Sequence, residues 1–193
     1  MPPLTQQLSE ALERFDADGN VGTLFDTVKA LVRDAEPDAL MAAVEPLRER
    51  PEIVIPVYEQ VVARRPDHAR ALVVLANAYW ITGRGPDVVG ELAERAMRAD
   101  PANRGAWHLW ALAEADVRSR VARWTKVSQQ FPEDQLARAA LADNAAGLAG
   151  AQHDPLALDL AIRTYEGLLA EAQTPTQRRA LVQTLETLRG WKI

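Results

Sequence analysis

Asp16, Asp18 and Asn20 stand at alternate positions of FDADGNVGTLFD, Phe15 to Asp26. Oxygen ligands enter a calcium-binding loop at this spacing, but such a loop also needs a glycine at its sixth position and a bidentate glutamate at its twelfth. Those positions hold Val21 and Thr27, so no metal site is expected. The segment reads better as a polar turn between helices, with Thr23 and Asp26 spaced as a capping box. His68, His108 and His153 are the other candidate ligands or proton carriers. None has a second histidine or a carboxylate at zinc-ligand spacing. His68 and His153 lie in polar turns beside Asp67 and Asp154, where helix caps belong. His108 and Glu114 are the one pair that could act as acid and base, yet six residues apart on a helix they point to different faces. The chain lacks cysteine and carries no GxSxG, HExxH, GxxxxGK[ST] or GxGxxG. Arg118, Arg120 and Arg123 form one basic cluster and Arg178 with Arg179 another; both read as solvated helix faces, with a phosphate or acidic-partner site as the minority alternative. No group has an identifiable base or orienter, so the reading is a noncatalytic protein without a cofactor.

The elements that must position these residues are helices almost throughout. Apolar residues recur every three or four positions and β-branched alternation is scarce. Much of the 48% hydrophobic share is alanine, a strong helix former. Proline, glycine and Asx residues punctuate the pattern at short intervals. The expected helices are 4–15, 23–35, 38–49, 52–64, 68–82, 87–99, 103–116, 118–130, 134–149, 156–171 and 176–189. No run approaches the length of a transmembrane span. The first residues lack the basic and apolar regions of a signal peptide, so a cytoplasmic protein is expected, or a periplasmic one if a leader was removed. Alanine richness and the preference for arginine over lysine suggest a bacterial source. The net charge of -5 disfavours nucleic acid as a partner.

The punctuation repeats. Pro66, Pro101 and Pro132 close successive units at intervals of 35 and 31 residues. Two helices per such period mark a helical repeat array. Between Ala69 and Asn103 the chain resembles a tetratricopeptide repeat. Leu72, Leu75, Ala76 and Tyr79 match the pattern of its first helix, and Gly83 its turn. Val89, Ala93, Ala96 and Asp100-Pro101 match the second helix and its close. The next unit keeps Trp107, Trp110 and Ala111, but Glu114 replaces the usual aromatic and the turn around Asp116 to Ser119 is short. Asp38 to Pro66 keeps mainly its second helix, and DLAIRTYEGLLAEA near the end matches through Ala161, Ile162, Tyr165 and Leu168. Small residues such as Ala76 let paired helices approach, large ones such as Leu75 fill the space to the neighbour, and Gly83 permits the left-handed stop.

The resemblance implies an all-α, right-handed superhelical array of antiparallel helix pairs. As one domain of residues 1–193, it would comprise a divergent pair over 1–36, repeat units over 37–172 and a capping helix over 173–193. The cap would turn Ala180, Leu181, Leu185 and Leu188 inward, with Trp191 either tucked behind them or forming an oligomer contact. First helices of such units line a concave groove for a peptide or partner helix. Matching positions place Arg70, Val73, Asn77, Trp80 and Ile81 there, followed by His108, Leu112, Ala115 and Asp116, with Asp143 from the next unit. Trp80 would anchor the partner; Asn77, Arg70 and His108 would orient it. The functional expectation is therefore a protein-binding adaptor or scaffold. Its alternatives are a self-associating structural module, hence a homo-oligomer, and an accessory repeat subunit of a biogenesis or assembly complex.

Overall fold

A computed structural model describes residues 2–193. Eleven α-helices are present among them: α1 (Leu4–Asp18), α2 (Val21–Val32), α3 (Pro37–Val44), α4 (Pro51–Arg64), α5 (Ala69–Ile81), α6 (Pro86–Ala99), α7 (Arg104–Leu112), α8 (Val117–Gln130), α9 (Gln135–Gln152), α10 (Pro155–Ala170) and α11 (Pro175–Arg189). The fold is all-α, built of sequential helix pairs. No described helix is long and apolar enough to cross a membrane.

Local chemistry sets the boundaries. Proline opens α3, α4, α6, α10 and α11, at Pro37, Pro51, Pro86, Pro155 and Pro175, where the missing N–H costs no intrahelical bond. Side-chain caps hold α2, α5, α8, α9, α10 and α11. Asn20, His68, Asp116, Asp134, Asp154 and Thr174 each accept from a backbone N–H of the turn that follows. Gly19, at φ 67°, ends α1, and Gly83, at φ 71°, follows α5; both occupy the left-handed region that disfavours a side chain.

Four local expectations need correction. Residues 38–49 do not form one helix, because Pro46 cannot donate into it and the chain tightens into a 3-10 turn over Glu45–Leu47. The helix expected over 103–116 stops at Leu112. Asn20, rather than Thr23 with Asp26, caps α2, its side-chain oxygen accepting from Thr23 N at 3.0 Å. His153 does not cap a helix N-terminus: it takes φ 50° at the end of α9, and Asp154 caps α10.

Residue contacts divide the chain into two compact units, Met1–Leu109 and Trp110–Ile193, the boundary falling inside α7. In the first, α1 meets α2 and α3, α4 meets α2, α3 and α5, and α5 meets α6. Its core runs through Leu8, Leu24, Val28, Leu40, Ile53, Val57, Val61, Leu72 and Val89, with Ala76, Ala93 and Ala96 fully buried where helices approach closely. Burying each leucine or isoleucine contributes about 1.5–3 kcal/mol. Charged staples join α4 to earlier helices, at its start to α1 and at its end to α3. Arg50 grips Asp16 with two bonds of 3.0 and 2.7 Å, and Arg65 grips Asp38 at 2.6 and 2.9 Å. Arg64 donates to the carbonyls of Val32, Arg33 and Ala35, satisfying the open end of α2.

In the second unit α9 packs on α8 and α10, and α11 on α10. Trp124, Val127, Leu141, Leu148, Ala161, Tyr165 and Leu168 form its core, closed by Leu185 and Leu188 of α11. Ala180, expected inward, is exposed, and Leu181 is only half-buried.

Candidate functional site

On α5 the inward stripe of Ala71, Leu72, Leu75, Ala76 and Ala78 is buried. The opposite stripe carries Arg70, Val73, Asn77, Trp80 and Ile81, spaced so that all five share a flank of the helix. Arg70 and Asn77 are exposed, Trp80 is 41% exposed and Ile81 69%. Val73 is half-buried for a specific reason: its Cγ1 would stand 3.2 Å from a Cβ placed on Gly105 of α7. A side chain at position 105 would crowd Val73, which would have to give by a few tenths of an ångström. His108, one turn further along α7, is half-buried on the same side.

Arg70 reaches across to Glu45 at the end of α3, pairing with it at 3.3 Å. Beneath that bridge lies an open cleft of about 390 Å³ lined by Asp38, Met41, Ala42, Glu45, His68 and Arg70. The His68 Nδ1 accepts from Ala71 N at 3.1 Å, which leaves Nε2 as the outward-facing ring nitrogen. Hydrogen bonding to Arg65 holds the Asp38 carboxyl below its usual range. The cleft thus offers an ionised carboxylate, an imidazole and a guanidinium around a Met41 floor, and it leads along α5 to Asn77 and Trp80.

The second unit places its expected residues differently. Leu112 closes α7 and is 36% exposed. Asp116 caps α8, accepting from Ser119 N at 2.8 Å, and that bond is the main reason its pKa is lowered. Asp143 accepts from the Tyr165 hydroxyl. Each arginine of the first cluster is engaged within the chain. Arg118 pairs with Asp154 at 2.8 Å, Arg120 donates to Asn144 and to the Glu114 carbonyl, and Arg123 binds Glu114 at 2.9 Å. Arg123 also lies 4.6 Å from the centre of the Trp110 ring, with the Lys126 ammonium at 5.8 Å. Glu114, a potential acid or base by residue type, is thus paired with Arg123 and accepts from Asp116 N at 2.9 Å. Asp16 and Asp18, the would-be calcium ligands, are likewise held by Arg50 and by Asn20 N.

Two clefts were not foreseen. One, about 450 Å³, opens between α9 and α11 over Ala146, Gly147, Gly150 and Ala151 and is walled by Trp191. The Trp191 ring lies 3.3 Å from where a Gly150 Cβ would be, while 38% of the residue stays exposed. The run AAGLAGA was the available signal. The other, about 470 Å³, opens between α4 and α6.

No protein-family model matches the chain, and no curated protein matches it in sequence. Among solved structures, a MamA crystal structure superposes with a TM-score of 0.61 at 12% identity, covering 83% of this chain and 96% of that one. A MamA fragment from Desulfovibrio magneticus RS-1 gives 0.59 at 16% identity, covering 90% and 99%. A thermophilic tetratricopeptide repeat protein of Thermus thermophilus gives 0.57 at 17% identity over 95% of this chain and 99% of that one. With the repeat pattern, the paired helices and these superpositions together, the chain has the tetratricopeptide repeat fold.

Proposed function

We propose that this chain is a noncatalytic adaptor that holds a peptide or helix of a partner protein against the outward stripe of α5. The observation that carries the reading is Trp80. A tryptophan is costly to leave in water, yet 41% of this one is exposed, beside Ile81 and within one turn of Asn77. A large rigid apolar group flanked by a side-chain amide is what anchors interfaces: the ring is buried by the partner while the amide bonds its main chain. The cleft between α3 and α5 continues the surface, and Arg70 and His68 would orient a polar or acidic neighbour of the anchored residue. His108 extends the same reading onto α7. MamA and the Thermus protein share this chain's fold at identities too low to transfer a partner; a place as an accessory subunit of an assembly complex is the finer form of the proposal.

The test is capture from a lysate of the native host with wild type and with the Trp80→Ala, Asn77→Ala double variant. Both are first matched in helicity by circular dichroism. A partner retained by wild type and lost by the variant supports the α5 surface. The same partner held equally by both overturns it.

A further inference from the structure

The cleft between α4 and α6 lies on the other flank of α5, away from Trp80. Its floor is apolar: Val62, Leu75 and Leu92 leave only slivers of surface open, and Val88 at the edge is 43% exposed. Its rim carries two carboxylates. Glu59 accepts from the Tyr79 hydroxyl at 2.6 Å, and Glu91 projects from the exposed face of α6. The cations nearby are engaged: Arg95 turns its guanidinium to the Pro66 carbonyl at 2.9 Å, and Arg84 lies over the Tyr79 ring, 5.2 Å from its centre. The wider surroundings have the same sign, because the first unit carries the whole formal charge of -5 and the second is balanced. An apolar trough with anionic edges fits a helix that presents a small apolar residue beside a cation.

The same chain displays such a helix. The outward stripe of α11 holds Arg179, Val182 and Gln183, with Ala180 alongside. Arg179, Ala180 and Gln183 are exposed. Val182 is 38% exposed and follows Arg179 by three residues, so the two side chains are neighbours on the helix surface. Basic residues predominate on this segment: Arg178, Arg179, Arg189 and Lys192 against Glu186. Arg178 and Arg189 have work inside the chain, on the Ala172 carbonyl and on Glu166.

We propose that α11 of one copy docks in the α4–α6 cleft of a second copy, with Val182 in the trough between Leu92 and Val88 and Arg179 at Glu91. The two surfaces differ, so the contact is heterologous: each copy keeps a free cleft and a free α11, and association continues head to tail unless the ring closes. This surface is separate from the α5 stripe, so either proposal can fail alone.

The experiment uses the full chain and sedimentation velocity from micromolar concentrations to on the order of 1 mM, the range in which weak interfaces populate. Wild type is expected to gain mass with concentration, and to lose that gain as salt screens the contact. Glu91→Lys and Arg179→Glu, both at exposed positions, are each expected to weaken association by about tenfold or more. A 1:1 mixture of the two should recover association, because the intact α11 of the Glu91→Lys copy fits the intact cleft of the Arg179→Glu copy and the remaining contact, between the two substituted positions, is the same pair with its charges exchanged. The double variant Glu91→Lys, Arg179→Glu restores the pair with its charges exchanged and should associate again. A wild type that stays monomeric throughout, or a mixture no heavier than its components, overturns the proposal.

Discussion

Trp80 and Trp124 show how position decides what one side chain does. Trp124 is 2% exposed in the core of the second unit. Trp124→Ala leaves a cavity there and should cost about 3–5 kcal/mol in chemical denaturation. Trp80→Ala removes a ring that is already partly in water and should cost less, about 1–2 kcal/mol. Equal losses would mean that Trp80 packs as a core residue, and the α5 surface would lose its anchor. Tyr79, the neighbour of Trp80, makes a sharper contrast. Burial, reinforced by the bond to Glu59, pushes its pKa from 10.0 up to about 12. The folded value is raised, so this stabilisation is complete below pH 10.0 and is lost as pH rises through about 12. At this scale the sequence was legible wherever one turn of chain decides the outcome. His68 read as a cap and is one. Asp116 did not, because Ala113, Glu114 and Ala115 favour helix by propensity. What stops α7 is not propensity: Arg123 donates to the Trp110 carbonyl at 2.7 Å and Arg120 to the Glu114 carbonyl at 2.9 Å, bonds made from the helix that follows.

The helices depend on their ends. Asp116 and Asp154 hold lowered pKa values chiefly because each accepts from backbone N–H groups at a helix start, and Asp154 also pairs with Arg118. Asp16, Asp38 and Glu171 are lowered by hydrogen bonds from Arg50, Arg65 and Arg138. All five shifts have one sign. A depressed carboxyl stabilises the fold fully above its unfolded pKa, 3.8 for aspartate, and that contribution disappears as pH falls through the folded value. Melting temperature should therefore hold from neutrality to about pH 5 and fall steeply below it. Asp154→Asn keeps a capping oxygen but cannot titrate, so its melting temperature should start lower, with the Arg118 pair gone, and fall less on acidification. A parallel fall in both proteins would show that the caps do not carry the acid response. The element pattern was the most legible feature of the chain, since periodicity and proline spacing are local. The clefts were not legible, because cleft width depends on how far apart alternate helices stand. Gly105 against Val73 and Gly150 against Trp191 set such distances across 32 and 41 residues of sequence.

Contacts in the whole molecule are short-ranged in sequence: α4 with α5, α5 with α6, α8 with α9, α9 with α10, α10 with α11. Stability in such a chain is close to a sum of local terms and nearest-neighbour interfaces, rather than one core that melts everywhere together. A defect introduced into α8 should then be felt along the chain only as far as successive interfaces transmit it. Amide hydrogen exchange can read this helix by helix. In Trp124→Ala, protection should drop most in α8 and α9, less in α10, and remain at the wild-type level in α1 to α4. The residues whose protection tests that last clause are buried and well separated from the mutation, among them Leu8, Val28, Leu40 and Val57. A uniform loss from α1 to α11 would show that the chain unfolds as one cooperative body, with the division at Leu109 having no energetic meaning. A graded loss would instead let one unit loosen on a partner while the other keeps its surface, the property an adaptor with separate binding faces requires.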